Sequence, residues 1–448
     1  MSIKVPKRIA ITIMNSLKGG VVPRVGLGYI AVGRDSEIEA LLNDVEVIED
    51  GGATFRFIVG RYGSGKSFLL QTIRTYVMDK NFVVIDADLS PERRLMGTKG
   101  QGLATYRELI RNMSTNTCRD GGALTLILEK WISNIKVDIM NSNNVLESST
   151  EFNRLIKMKI YKEINNLEGM VNGFDFAKMI NMYYDAYEEY DDEKKSKVLR
   201  WFRGEYNTKT EVKNELGVSI LITDDNWYEY IKIFSTFLVN AGYNGLIMLI
   251  DEIVNLYRIP NVTTRQYNYE KMLMMYNDTL QGKAKNLGII MGGTPQSIED
   301  NKRGVFSYEA LKSRLTEGKF ASEETVNLLS PIIRLKQLTP DEIYILIEKI
   351  SDIHSDLHNY ENKITEDDLM NFIRIEYERV GADSRITPRE IIRDFIELLD
   401  ILFQNPDKIF NDIIKSKNFT FSKNEITDEN IHKEFEEFEI WLIMYLID

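Results

Sequence analysis

The sequence predicts an α/β fold built on a parallel five-stranded sheet that is flanked by helices. Three observations lead to this prediction. Short apolar runs typical of buried parallel strands recur along the chain, helical patterns separate them, and a glycine-rich loop follows the first run. The alternation favours a doubly wound sheet, with strands expected at 55–59, 82–90, 245–251, 287–293 and 332–338.

The first fifty residues are expected to form an N-terminal segment, and the α/β core is expected at 51–338. Glycine and proline mark a loop in the N-terminal segment, and Asp35 or Ser36 can cap the helix that follows. The first strand of the core then enters the glycine-rich loop, and a helix is expected to begin at Lys66.

Two regions without strand patterns complete the predicted organisation. Residues from about 103 to 240 are mostly helical in pattern with little glycine or proline, which indicates a helical insertion within the core. Residues 339–416 indicate an all-α lid, in which two helices begin Thr-Pro-x-Glu at Thr339 and Thr387. This pattern predicts a capping box with proline in the first turn. Residues 417–448 remain as a C-terminal extension.

Composition excludes several classes of protein. The chain has 448 residues and a formal net charge of −12, which argues against a protein that coats nucleic acid through bulk positive charge. Net charge does not exclude a local basic groove. The single cysteine, Cys118, excludes an intramolecular disulfide framework. We find no signal-peptide pattern and no apolar run long enough to cross a bilayer, so we expect a cytoplasmic protein without a membrane partner.

The glycine-rich loop has the spacing G-x-x-x-x-G-K-S between a predicted strand and a predicted helix. Its backbone amides and the positive end of the helix can cradle a triphosphate. Lys66 is expected to reach the β- and γ-phosphates, and Ser67 is expected to ligate Mg²⁺. The loop therefore predicts ATP and Mg²⁺ as cofactors, with binding residues Gly60, Arg61, Tyr62, Gly63, Ser64, Gly65, Lys66, Ser67 and Phe68.

An acidic pair closes the apolar run "LIMLIDE". Asp251 is expected to hold the metal, and Glu252 is expected to orient or deprotonate the attacking water. The alternative is that the two acids only end a strand. Adjacent acids favour hydrolysis over a small-molecule kinase, which needs no water-activating glutamate.

Four further residues separate subclasses of nucleotide-binding protein. Thr294 follows the run "IIMGG" and is either a γ-phosphate sensor or a turn residue. Arg389 lies in the first turn of a capped helix and either reports nucleotide state to the lid or lies on the surface. Arg314 is a candidate arginine finger for a neighbour's γ-phosphate. Arg303 competes for that role, and for both an ordinary surface position is the alternative.

Two other features have simpler interpretations. His354 and His358 are spaced i, i+4 without a further ligand nearby, which favours a solvated helix face over a metal site. The glycines at 97–102 do not form a second phosphate loop, because neither a lysine nor a strand is suitably placed. They predict either a loop over a partner or a DNA strand, or a plain flexible turn.

The order of these motifs resembles the AAA+ ATPases of the initiator type. That order is a phosphate loop, a strand-end Asp-Glu, a polar sensor, a Ser-Arg before the fifth strand, and an arginine at the start of a lid helix. The stretch "VGRDSEIEAL" resembles the segment that lies near the adenine in these proteins. The resemblance implies that Val32, Gly33 and Arg34 lie near the base.

A narrower resemblance is to the ATP-binding proteins of bacteriophage-exclusion (BREX) defence systems. It rests on "GGVVPRVGLGYIAVGRDSEIEALL", "GRYGSGKSFLL", "DADLSPERRLMGTKGQGLATYRELIRN" and "ITPREIIRDF", and it extends over residues 15–400. Its most specific part is "DLSPERR" together with the "GQG" and "YRELIRN" that follow it. The resemblance implies a prokaryotic ATPase that acts against invading DNA beside DNA-processing partners such as a helicase.

The leading hypothesis is therefore an AAA+ ATPase that binds and hydrolyses ATP with Mg²⁺. It would assemble with itself or with a helicase partner and couple nucleotide state to DNA handling, with DNA as a possible ligand. The alternative is a nucleotide-dependent switch or loader with slow turnover that recruits an effector. A phosphotransferase is disfavoured because no acceptor-binding motif is evident.

Overall fold

The computed structural model describes residues 4–143, 149–316, 327–380 and 387–415. The C-terminal extension expected at 417–448 lies outside the described residues. The centre of the fold is an all-parallel, five-stranded sheet with the strand order β2-β3-β4-β1-β5. Its strands are β1 (Ala53–Val59), β2 (Val83–Asp88), β3 (Leu246–Asp251), β4 (Leu287–Gly293) and β5 (Ile332–Arg334). The predicted α/β class with five parallel strands is confirmed.

The register aligns the carboxyl ends of the central strands at one edge of the sheet. Val59 lies opposite Gly293, and Asp88 lies opposite Asp251. Strand β4 lies between β1 and β3. The loops that follow β1, β3 and β4 therefore emerge side by side, which is where ligands bind in open parallel sheets.

Helices precede, separate and follow the strands. Before β2 lie α1 (Lys7–Lys18), α2 (Leu27–Ile30), α3 (Asp35–Glu49) and α4 (Lys66–Asp79). Between β2 and β3 lie α5 (Gln101–Arg111), α6 (Leu124–Asn143), α7 (Thr150–Glu168), α8 (Gly173–Glu188), α9 (Asp192–Phe202), α10 (Lys209–Leu216) and α11 (Trp227–Asn240). Between β3 and β5 lie α12 (Val254–Tyr257), α13 (Val262–Leu280), α14 (Pro295–Glu299), a 3₁₀ turn (Val305–Ser307) and α15 (Glu309–Leu315). The chain continues through α16 (Pro340–His358), α17 (Glu366–Val380), α18 (Pro388–Gln404) and α19 (Phe410–Lys415).

Both faces of the sheet are covered, which explains why the strands read as continuous apolar runs instead of alternating with polar residues. On one face, Phe57 and Ile85 join a hydrophobic core that extends into the helices between β2 and β3. On the opposite face, Ile58 and Val84 pack against α3 and α4. Successive strand residues thus enter different cores, as the two-residue period of a strand requires.

The helices between β2 and β3 share the first of these cores with the sheet. Phe176 of α8 is central to this packing. Its ring lies 5.2 Å from that of Phe202, 5.0 Å from that of Phe234 and 5.8 Å from that of Phe237, in edge-to-face arrangements. The helical insertion is therefore built onto the sheet through buried aromatic side chains.

A third core joins the beginning of the chain to its C-terminal helices. Ile13 of α1 and Ile30 of α2 pack with Ile347 of α16 and Phe395 of α18. The helix α3, by contrast, packs on the sheet. The first fifty residues therefore do not pack as one unit. The part up to the end of α2 packs with the C-terminal helices, and α3 packs on the sheet.

The two predicted capping boxes are confirmed. In α16 the Thr339 side chain accepts a hydrogen bond from the amide of Glu342, whose carboxylate accepts one from the amide of Thr339. Thr387 and Glu390 make the same reciprocal pair at the start of α18. These boxes fix where the two helices begin.

The expectation that both histidines lie on a solvated helix face is wrong for His354. Its side chain is only 1% exposed, and Nδ1 lies 2.8 Å from the hydroxyl of Tyr360. His358 is exposed, and its ring lies 4.6 Å from that of His354. The packing of α16 against α18 decides that His354 is buried and His358 is exposed. The spacing of the two histidines in the sequence does not predict this difference in burial. None of the helices in the described ranges is long and apolar enough to cross a membrane.

Candidate nucleotide-binding site

The glycine-rich loop leaves β1 and enters α4 through a left-handed residue. Gly65 is the N-cap of α4 and has φ 87°. Glycine has no side chain that could cap the helix, so the first amides of α4 remain available to an anion. These amides and the positive end of the helix are the groups that bind phosphate at helix N-termini in general.

Lys66 begins α4 and folds back over the loop. Its Nζ donates hydrogen bonds to the carbonyl oxygens of Gly60, at 2.8 Å, and Arg61, at 3.0 Å. The ammonium group also lies 5.5 Å from the ring centre of Tyr62. The lysine therefore occupies the concave side of the loop, where it meets backbone oxygens that phosphate oxygens can replace.

Ser67 and Asp251, the two residues predicted to hold the metal, are in direct contact. The Ser67 hydroxyl donates a hydrogen bond of 2.7 Å to Oδ2 of Asp251. Asp251 is 9% exposed, and its other oxygen accepts a hydrogen bond of 2.8 Å from the amide of Glu252. The two residues are 184 positions apart in sequence, and the sheet brings them together.

Glu252 has an unusual backbone. Its φ of 59° lies in the left-handed region, which costs a residue with a side chain about 1–2 kcal/mol. Burial raises the pKa of its carboxyl group, and the nearby carboxylates of Asp251 and Asp88 raise it further. Strained backbone and a raised carboxyl pKa are both typical of functional positions.

Thr294 follows β4 and therefore lies between the phosphate loop and the Asp-Glu pair. It is 8% exposed and caps α14, with Oγ1 accepting a hydrogen bond of 3.2 Å from the amide of Ser297. A hydroxyl that accepts one bond can still donate another. Its role as a helix cap is thus compatible with a contact to a phosphate or a water.

Helix α18 begins beside the phosphate loop. Gly63 has φ 76°, and a Cβ atom added to it would lie 2.5 Å from Cβ of Thr387, the N-cap of α18. Arg389 in the first turn of the same helix is exposed. Burial lowers the pKa of Lys66, and the charge of Arg389 contributes in the same direction against the opposing carboxylates of Asp251 and Glu252. The structure therefore brings Arg389 into the electrostatic field of the phosphate loop.

The segment "VGR" lies between the loop and the C-terminal helices. Val32 packs against the third core, as does Phe68 of α4. Any side chain at Gly33 would collide with the carboxylate of Glu342 in α16. This part of the chain thus closes one side of the loop.

Arg34 is engaged with protein backbone. It is 5% exposed, and one guanidinium nitrogen donates hydrogen bonds to the carbonyl oxygens of Ser64, at 2.9 Å, and Lys336, at 2.7 Å. It also meets Glu37 at 3.3 Å. In this geometry Arg34 ties the phosphate loop to the chain that leaves β5, a function that the sequence did not indicate.

The two candidate arginine fingers lie in different places. Arg314 is exposed at the end of α15, where it donates a hydrogen bond of 2.8 Å to the carbonyl of Ala310 and lies close enough to Tyr276 to affect its pKa. The ring of Tyr276 lies 5.5 Å from that of Phe55, near the beginning of β1 and away from the loop. The guanidinium of Arg303 lies 5.4 Å from the ring centre of Tyr257, in the short helix after Glu252.

Two residues beside Glu252 were missed by sequence reasoning. Arg258 is exposed at the end of α12, and its charge opposes the raised pKa of Glu252. The side chain of Asn255, in α12, donates hydrogen bonds to the carbonyl oxygens of Glu252 and of Leu89, the residue that follows β2. The only available signal was their position three and six residues after Glu252, because neither belongs to a motif. In the described part of the chain, no group of three or more His, Cys, Asp or Glu side chains is arranged to hold a metal by itself.

Comparison with known proteins gives a family match. A family model described as BREX system ATP-binding protein BrxC/D matches residues 5–418. The chain belongs to this family. The resemblance to BREX ATP-binding proteins is thereby confirmed, and family membership implies ATP binding and a part in anti-phage defence within a system of several proteins. A search of the curated proteins gives no match.

Proposed function

We propose that the protein is an AAA+ ATPase that hydrolyses ATP with Mg²⁺. The observation that carries this proposal is the contact between Ser67 and Asp251, with Glu252 next in the chain. It unites the phosphate loop with an acidic strand end across β4, which is the arrangement that hydrolysis requires. Family membership supports the ATP-binding half of the proposal.

The residues present fit a magnesium ion. Mg²⁺ in nucleotide sites is held by one or two protein oxygens together with substrate phosphates. The Ser67 hydroxyl and the Asp251 carboxylate supply two neighbouring oxygens of this kind. When bound, the ion would neutralise charge on the phosphates.

Lys66 and Glu252 carry the chemistry in this proposal. On ATP binding, Lys66 exchanges the carbonyls of Gly60 and Arg61 for oxygens of the β- and γ-phosphates, which pair better with an ammonium group than neutral carbonyls do. Glu252 orients a water whose oxygen attacks the γ-phosphorus. The bond to the bridging oxygen breaks, and the carboxylate of Glu252 accepts the water proton.

Thr294 and Arg389 are proposed to report nucleotide state. Thr294 can contact the γ-phosphate or the water because it follows the strand between β1 and β3. Arg389 lies in α18, whose N-cap touches Gly63 of the loop. We therefore propose that residues 339–416 form a lid that follows the phosphates, beside a core at 51–338 with its helical insertion.

Assembly is the second part of the proposal. Arg314 is exposed, and its charge opposes the burial that raises the pKa of Tyr276, whose ring lies near the beginning of β1 and away from the chain's own loop. An arginine finger at this position would therefore serve a neighbouring subunit. We propose a homo-oligomer or a complex with a helicase-type partner, in which hydrolysis is coupled to DNA handling.

ATP turnover tests the hydrolysis. We expect the wild type to release phosphate and Lys66→Ala and Glu252→Gln to lose turnover, with ATP binding lost only in Lys66→Ala. The measurement is made with and without single- and double-stranded DNA, and size is followed by light scattering. Absence of turnover under all conditions, with assembly still ATP-dependent, would leave the slow switch or loader as the function.

A mixing experiment tests the arginine finger. Arg314→Ala and Glu252→Gln are each expected to be inactive, but a mixture forms interfaces that combine an intact Glu252 with an intact Arg314. Recovery of turnover on mixing supports a finger in trans. Arg303→Ala, mixed in the same way, is the matched comparison. Recovery with Arg303→Ala alone would move the role to that residue.

A further inference from the structure

Asn255 of α12 lies one helical turn after Glu252 and holds its carbonyl group. The Asn255 amide donates a hydrogen bond of 3.0 Å to the carbonyl oxygen of Glu252, and side-chain Nδ2 lies 3.3 Å from the same oxygen. The same Nδ2 donates a shorter bond, of 2.8 Å, to the carbonyl of Leu89. One side chain thus joins the acidic pair to the chain that leaves β2.

Glu252 depends on such constraints because its backbone is left-handed, with φ 59°. Its amide is held by Oδ1 of Asp251 at 2.8 Å, and its carbonyl is held by Asn255. A residue in a sparsely populated conformation keeps it only where its surroundings over-determine it. If the carbonyl is released, Glu252 can relax to an ordinary conformation, and its carboxylate then turns away from the phosphate loop.

The chain that Asn255 grips at Leu89 is residues 89–102, which we call the linking segment. It is pinned along its length to residues that precede or begin α11. Trp227 donates a hydrogen bond of 3.0 Å from Nε1 to the carbonyl of Leu95, and Asp224 accepts one of 2.9 Å from the amide of Gly100. The glycine-rich end of the segment is therefore anchored to the helical insertion.

These contacts form a continuous path. It runs from the insertion through the linking segment to Leu89. From Leu89 it continues through Nδ2 of Asn255 to the carbonyl of Glu252. Leu89 is also tied to the strand end, because its amide donates a hydrogen bond of 3.1 Å to the carbonyl of Asp251. A displacement of the linking segment therefore acts on the carbonyl groups of Asp251 and Glu252, which lie on either side of the Glu252 Cα atom.

We propose that Asn255 is a positioning residue for ATP hydrolysis, which holds Glu252 in its left-handed conformation and makes that conformation depend on the linking segment. The proposal rests on the proposed function, since it assigns Asn255 a role through Glu252. It also gives the family-specific "DLSPERR" segment a task, namely to connect the insertion to the hydrolysis site.

The test compares two asparagines whose side-chain amides each donate two hydrogen bonds. Asn255→Leu keeps the side-chain size and removes the side-chain donor to Leu89 and Glu252, while the backbone amide at position 255 still donates to the carbonyl of Glu252. Asn244→Leu is the matched control, because Nδ2 of Asn244 also donates two hydrogen bonds, to Glu49 and to the carbonyl of Lys80, at the opposite edge of the sheet. Asn255→Asp is a second variant, since its carboxylate cannot donate to either carbonyl.

We expect both Asn255 variants to lower kcat by about tenfold or more, the equivalent of about 1.4 kcal/mol, while the Kd for ATP stays within about twofold of the wild type. Hydrogen exchange in the linking segment is expected to rise in the same variants. Asn244→Leu should leave kcat and exchange in that segment unchanged. A merely structural role would lower stability and ATP affinity without this separation of kcat from Kd.

Three results would overturn the proposal. One is a kcat for Asn255→Leu and Asn255→Asp that matches that of Asn244→Leu. Another is a loss of ATP affinity as large as the loss of kcat, which would indicate general damage to the site. A wild type that binds ATP but never turns it over would refute the proposed function, and the role of Asn255 with it.

Discussion

A substitution of Arg34 can distinguish between two roles for this residue. Arg34 either binds the base of the nucleotide or clamps two backbone segments together. The resemblance to AAA+ proteins implies that Arg34 lies near the base, whereas the structure shows its guanidinium bound to the carbonyls of Ser64 and Lys336. The perturbation that distinguishes these roles is Arg34→Met, which keeps an unbranched apolar stem and removes all the donors of the guanidinium group. Arg61→Met is the matched control, because Arg61 lies in the same loop and is exposed.

The magnitude follows from the two carbonyl bonds. A hydrogen bond from a charged donor contributes about 1.5–3 kcal/mol. The Ser64 bond is buried, whereas the Lys336 bond is partly buried and water can replace part of it. The pair with Glu37 is long, at 3.3 Å, and adds little. We therefore expect Arg34→Met to lower the free energy of unfolding of the nucleotide-free protein by about 3 kcal/mol.

The assay is urea unfolding without nucleotide, followed by circular dichroism, together with ATP affinity measured separately. Arg61→Met should change the free energy of unfolding by no more than about 0.5 kcal/mol. Arg34→Met should also weaken ATP binding, because the Ser64 carbonyl is part of the loop. If Arg34→Met weakens ATP binding and leaves the free energy of unfolding unchanged, the clamp is refuted and a direct contact with the nucleotide is favoured.

Two further predictions concern the C-terminal helices. Gly63→Ala and Gly282→Ala both place a side chain on a residue with positive φ, 76° at Gly63 and 69° at Gly282. The backbone strain costs about 1–2 kcal/mol in each variant. Only the alanine at position 63 would also collide with Thr387. Hydrogen exchange in α18 should therefore rise in Gly63→Ala alone, and an equal rise in both would show that α18 does not rest on the loop. Burial lowers the pKa of His354 below its ordinary value of 6.5, and the hydrogen bond that its ring makes to the Asp400 carboxylate opposes this shift only in part. The unfolded chain therefore takes up the proton first, and stability is lost as the pH falls through 6.5. The melting temperature should drop more between about pH 8 and pH 5.5 in the wild type than in His354→Gln, and equal drops would contradict a buried neutral histidine.

Features that depend on neighbouring residues could be predicted from the sequence. The loop between Val59 and Lys66 needs glycines at particular positions, and these are visible in the spacing itself. The capping boxes at Thr339 and Thr387 involve residues three positions apart, so both were predicted and both are confirmed. The five strands were found because buried parallel strands are continuously apolar.

The ends of the strands were less predictable because they depend on partners elsewhere in the chain. The fifth strand was expected to reach residue 338, but β5 ends at Arg334, and the carbonyl of Lys336 is bound by Arg34. The second strand was expected to continue to residue 90, but β2 ends at Asp88, after which Leu89 turns toward Asn255. In both places a side chain distant in sequence binds a backbone carbonyl just beyond the end of the strand.

The sequence by itself determined the α/β class, the glycine-rich loop after β1, the Asp-Glu pair at the end of β3 and the starts of the two capped helices, because each is visible in short stretches of the chain. Tertiary structure alone decided the strand order that puts Thr294 between the loop and Asp251. It also decided that α1 packs with the C-terminal helices, that His354 is buried, and that Asn255 meets Leu89. These outcomes rest on contacts between segments far apart in the chain, which no local pattern of residues encodes.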